Sequence, residues 1–130
     1  MRKDPTNLGE LELAILQYLW DQGPHKVKAA YRAVGVPREI TLNTVQSTMK
    51  RLWEKGLLVR EKQGHAYVYS AQMTRRDLTE LMVSELIEDV AGSRVEVALQ
   101  AFVDVAERAG EETLDRLETL VAARRAGDEE

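Results

Sequence analysis

The chain contains no cysteine, so disulfides, thiol redox sensing and cysteine-ligated metals are excluded. Its only histidines are His25, in a helix–helix connection, and His65, at a turn. Each reads as a solvated side chain rather than a ligand, and no metal or cofactor is expected. No apolar run reaches the roughly 20 residues that cross a bilayer. The opening MRKDPTN is basic but has no apolar segment behind it, unlike a signal peptide, so the cytoplasm is the expected compartment. Catalytic patterns are missing too. There is no Ser/His/Asp order, HExxH, P-loop or GxGxxG, and no carboxylate pair has a setting that suggests acid–base work. A non-enzyme is expected.

What is present is one folded domain's worth of chain plus an appendage: 130 residues, 44% hydrophobic and 31% charged. The net charge of −4 hides a division. Residues 1–73 carry 11 Lys+Arg against 7 Asp+Glu, whereas residues 74–130 carry 7 against 15. All the lysines lie in the first part. Such asymmetry suggests a polyanion-binding module joined to an acidic one that faces elsewhere.

Thr41 to Ala71, TLNTVQSTMKRLWEKGLLVREKQGHAYVYSA, is the most informative stretch. Thr41 suits an N-cap, because its hydroxyl can accept a free N–H of the first turn. Leu42, Val45, Met49 and Leu52 recur at helical spacing, and Gly56 supplies a left-handed stop. LLVREK and AYVYSA read as strands joined by a turn at Gln63-Gly64-His65. Helix, glycine stop and hairpin make the second half of a winged helix-turn-helix. The outward face of the helix presents Asn43, Thr44, Ser47 and Thr48 near its N-terminal end, where base edges are contacted. Lys50, Arg51 and Lys55, with Arg60, Lys62, His65 and Tyr67 on the wing, suit the phosphate backbone. The bland alternative is a solvated polar face; the hairpin and the charge pattern favour DNA. Trp20, Trp53 and Tyr69 are expected in packing, with Tyr67 and Tyr69 on one wing face.

The rest of the chain frames this stretch. Asn7 and Glu10 have capping-box spacing ahead of an apolar helix running to Trp20, the expected core helix. Lys26 to Val34 reads as a second helix with Val27, Ala30, Tyr31 and Val34 inward, ended by Gly35. Val36 to Ile40 is the turn into the recognition helix. Three further helices follow. Thr74–Asp77 and Ser93–Glu96 are their capping pairs, and Gly92 and Gly110 their separators. The fold class expected is mostly α, an N-terminal winged helix-turn-helix over 1–73 with a small hairpin wing and a helical dimerisation part over 74–130. Three helices in about 55 residues need a partner surface. The bland reading packs them onto the first domain. The reading adopted here is a homodimer, with Leu78, Leu81, Met82, Leu86, Leu99, Phe102, Leu114, Leu117, Leu120 and Val121 at its interface, because two-fold sites suit two-fold proteins.

The segments LGELELAILQYLW (Leu8 to Trp20) and TVQSTMKRLWEKGLLVREKQGHAYVYS (Thr44 to Ser70) resemble the BlaI/MecI penicillinase-repressor family, which also includes copper-responsive CopY repressors. The likeness rests on the Leu-rich helix ending in Leu-Trp, on Thr-Val-Gln, Arg51-Leu52 and Lys55-Gly56, and on Gly64-x-x-Tyr67-x-Tyr69. It covers nearly the whole chain. It implies a dimeric repressor with an N-terminal winged helix and three C-terminal dimerisation helices; whether release is by a sensor protease, a small-molecule inducer or a partner stays open. It places Asn43 and Thr44 at operator bases, and Arg51 and the wing near the backbone. Asn43 stands where a well-known member has lysine. Penicillinase repressors are cut just before a phenylalanine; Phe102 is the counterpart, preceded by Ala101 where those repressors have asparagine. The cysteine cluster of the copper-responsive members is missing, which excludes copper sensing by that route. β-Lactam resistance is one circuit among the several processes that the family regulates, and the likeness does not choose between them.

The sequence therefore predicts a dimeric transcriptional repressor that binds a palindromic double-stranded operator through helix 41–55 and wing 57–71. The alternative is a winged helix used as a protein-interaction module in a signalling complex.

Overall fold

A computed structural model of the chain describes residues 8–128. Two compact units divide between Val83 and Ser84. The first is built around α1 (Glu10–Gln22), which buries Ile15, Leu16 and Leu19. Its N-cap is Gly9, whose N–H donates to Glu12 Oε1 at 3.2 Å. The capping function thus falls to Glu12, not to Glu10; Asn7 lies outside the described residues. Gly23 ends the helix, and His25–Lys26 follows as a short strand, β1.

The segment expected as one second helix is a compound of three. α2 (Val27–Ala30) widens into a π turn over Tyr31–Gly35 and tightens into a 3-10 turn over Val36–Arg38. Gly35 does not end a helix by turning left-handed; that conformation belongs to Glu39, with φ 56°. Gly35 is buried, and a Cβ there would sit 2.9 Å from Val45 Cγ2 and 3.0 Å from Tyr31 Cδ1. Its missing side chain lets this segment lie against the next helix.

That helix, α3 (Leu42–Glu54), begins and ends as its sequence dictates. Thr41 Oγ1 accepts the Thr44 N–H at 3.2 Å. At the other end Gly56 takes φ 82°, Gly56 N donates to Trp53 O at 3.0 Å and Leu57 N to Leu52 O at 2.9 Å. This is a Schellman stop, with Leu52 and Leu57 buried beside it. The wing follows as β2 (Leu58–Gln63) and β3 (Ala66–Ala71), antiparallel, with Gln63 opposite Ala66. β1 adds to the far side of β3, His25 opposite Tyr69, so the sheet order is β1-β3-β2. This third strand is not expected from the sequence.

α4 (Arg75–Leu86) is capped as predicted, Thr74 Oγ1 accepting the Asp77 N–H at 3.0 Å. Its first turns belong to the winged-helix unit. Leu78 is buried in that unit's core and Leu81 packs against it. Trp20 Nε1 donates to Met73 O at 2.9 Å, and Arg75 pairs with Asp21 at 2.9 Å. The boundary therefore falls inside α4, not at 73/74, and Leu78 and Leu81 are withdrawn from the expected dimer surface.

The second unit comprises the end of α4, a π turn over Ile87–Ala91, α5 (Val95–Arg108) and α6 (Glu111–Asp128). The Ser93–Glu96 box does not form. Arg94 is the N-cap without a side-chain bond, and Glu96 accepts from Gln100 Nε2 at 3.2 Å. Among the described residues no helix is long and apolar enough to cross a membrane.

Candidate nucleic-acid interface

α3 sorts its residues by period. Val45, Met49 and Leu52 have no solvent exposure, and Thr48, three positions after Val45, is 1% exposed. Thr48 Oγ1 donates to Thr44 O at 2.7 Å and accepts from Arg51 Nη2 at 3.3 Å. Thr48 is thus a buried polar residue satisfied within its helix, and its expected role at a base edge is withdrawn. Asn43, Thr44, Ser47, Lys50 and Arg51 are exposed. The hydroxyls near the helix start are steadied locally: Thr44 Oγ1 lies 3.0 Å from Thr41 Oγ1, and Ser47 Oγ donates to Asn43 O at 2.8 Å.

Gln46 is exposed beside Asn43 and Lys50, three positions after one and four before the other, and is missing from the residues the sequence singles out. The spacing alone places it on that face. Gln and Asn side chains are the amides that pair bidentately with adenine in a major groove.

Beside this face a groove of about 480 Å³ separates α3 from the wing, bringing Gln46 together with His65 and Tyr67 and with Lys26 and Lys28. The two lysines are not among the predicted contacts. Lys26 reaches the groove because β1 pairs it with Val68 across the sheet, a non-local pairing that no local pattern announces. Lys26, Lys28, Lys62 and His65 are all exposed.

Two of the predicted backbone contacts are placed differently. Lys55 Nζ lies 2.8 Å from Glu12 Oε2, the two side chains only 11% and 12% exposed. Its ammonium ties the end of α3 to the start of α1, so Lys55 is withdrawn from the phosphate-facing set. Arg60 is held between rings, its Cζ 3.5 Å from the Trp53 centroid and 4.1 Å from that of Tyr67. Tyr67 and Tyr69 share one wing face, edge to face at 6.3 Å, and Tyr69 is buried. His25 is structural: its Nδ1–H donates to Gly23 O at 2.9 Å and its ring lies against Tyr18.

The second unit has a different surface. Leu86, Val90, Leu99, Phe102, Leu120 and Val121 are exposed, as is Met82 just before the division, while Leu114 and Leu117 are half-buried. α5 turns Ala98 and Ala106 inward and leaves its larger side chains outside, where Leu86, Val90 and Phe102 help line an apolar cleft of about 260 Å³.

The profile of the penicillinase repressor family matches residues 8–123. The chain is 33% identical over 125 residues to the transcriptional regulator BlaI of Mycobacterium tuberculosis, covering 94% of this chain and 88% of that protein. Its fold is similar to the solution structure of the DNA-binding domain of the repressor BlaI (TM-score 0.52, 21% identity, 58% of this chain and 93% of the other). It is also similar to that of RosR from H. salinarum (TM-score 0.51, 20% identity, 95% and 99%).

Proposed function

This chain belongs to the penicillinase repressor family, a family of DNA-binding transcriptional repressors, and we propose that it acts as a homodimer on a palindromic operator. The observation that carries this reading is the exposed stripe Asn43, Gln46, Ser47 and Lys50 on a doubly capped helix, beside a groove edged by Lys26, Lys28 and His65. Amides and hydroxyls at the helix start suit base edges in a major groove. The cations around them suit phosphates, which fix register without reading sequence. Arg51, Lys50, Lys62, His65 and Tyr67 fall to the backbone in this reading, with Lys26 and Lys28 added.

The homodimer reading is supported by the large apolar residues that the second unit exposes, among them Leu86, Val90 and Phe102 around one cleft. Large contiguous apolar patches are rare on monomeric soluble proteins. Two copies would set two recognition helices about 34 Å, or a multiple of it, apart on one duplex. Footprinting on DNA upstream of the chain's own gene tests the reading. Two related protected half-sites separated by whole helical turns are expected. Protection without two-fold symmetry would contradict the dimer, and a folded protein that protects no site would favour a protein-interaction module.

A further inference from the structure

The wing has little to hold it in place. Burial along β2 and β3 ends at Leu58 and Tyr69, and β1 pairs β3 only at Val68 and Tyr69. Glu61 through His65 are all exposed. A two-stranded hairpin is marginally stable by itself, so its direction must be set by something at its base. Arg60 ties the hairpin to α3 beyond the core. Its guanidinium lies between Trp53, on the last turn of α3, and Tyr67 of β3, and its Nη1 donates to Tyr69 Oη at 3.4 Å. One side chain thus joins three elements.

We propose that Arg60 is a positioning residue: stacked between Trp53 and Tyr67, it sets the angle of the wing to the recognition helix, and so decides which phosphates Lys62 and His65 reach. The second half of this statement rests on the DNA-binding reading; the first does not. The chemistry requires arginine. A planar guanidinium offers two faces to two rings and still donates from its edge, whereas an ammonium is a hydrated point charge that cannot be sandwiched in this way. Arg60→Lys therefore separates the two roles. A phosphate ligand would tolerate lysine, and a stacked strut would not.

Because the chain has no cysteine, spin labels go cleanly on Lys50→Cys and Gln63→Cys, one on α3 and one at the wing tip. Dilution with unlabelled protein restricts the reading to distances within one copy. In the free protein the label-to-label distance distribution is expected to be narrow. It should broaden in Arg60→Lys as much as in Arg60→Ala, and also in Trp53→Leu, which leaves the arginine in place. Unchanged distributions in these variants would overturn the proposal without reference to DNA. On operator DNA, Arg60→Lys should weaken binding about tenfold, and should do nothing further once Lys62 and His65 are alanine, since residues acting through one another are not additive. Equal losses in both backgrounds would make Arg60 a direct contact and overturn its role on DNA. If the unmodified protein binds no DNA, the DNA-binding reading fails, and the label distances still decide whether Arg60 holds the wing.

Discussion

Asn43 and Thr48 sit on opposite faces of α3, and their substitutions should separate recognition from stability. Asn43→Ala should lower the preference for operator over unrelated DNA by about 1–3 kcal/mol for each base edge it no longer reads, measured by competition binding. Uniform weakening on every sequence would make Asn43 a phosphate ligand instead. Thr48→Val keeps the shape and removes a hydroxyl bonded to Thr44 O and Arg51. It should cost about 1 kcal/mol of stability in denaturant and leave operator preference unchanged. The burial of Thr48 is legible in the sequence, since Val45 plus three lies on the buried stripe; its polar character masks it. Lys55 is a different case. Nothing local announces a partner as distant along the chain as Glu12, and the ion pair exists only once α1 and α3 are packed. Breaking a largely buried pair leaves a charge without its counterpart, so Lys55→Met should destabilise the unit by about 3 kcal/mol while leaving the salt dependence of DNA binding intact.

At the scale of elements, local signals are reliable where the deciding contacts are local. The Thr41 cap, the Gly56 stop, the hairpin's turn between Gln63 and Ala66 and the Thr74 cap all depend on neighbours within a few residues. β1 is illegible because two residues carry no period and its partner is β3, far along the chain. The Ser93–Glu96 spacing is present but unused, Glu96 bonding along the helix to Gln100. Gly35 reads as a stop and is instead a close approach. Gly35→Ala should therefore destabilise by about 1–3 kcal/mol through overpacking against Val45 and Tyr31. A thermal midpoint at or above that of the unmodified chain would show that Val45 and Tyr31 give way freely.

For the whole molecule, the charge division seen in the sequence follows the structural one closely. Residues from Ser84 onward hold 5 Lys+Arg against 13 Asp+Glu. An acidic unit repels DNA and so favours approach by the basic one. Its exposed apolar residues are the proposed dimer surface; Leu78 and Leu81 share the helical stripe of Leu86 but pack in the core of the winged-helix unit. Val90→Asp combined with Phe102→Asp should give a monomer by sedimentation that retains a folded winged helix; a persistent dimer would place the interface elsewhere.

The most direct test of a DNA-binding repressor is the salt dependence of operator binding by the unmodified protein. Neutralising about six to ten phosphates across two copies should weaken binding by on the order of 10³–10⁵ between 50 and 200 mM salt. A flat response, or no binding at 50 mM salt by a folded protein, would contradict the account.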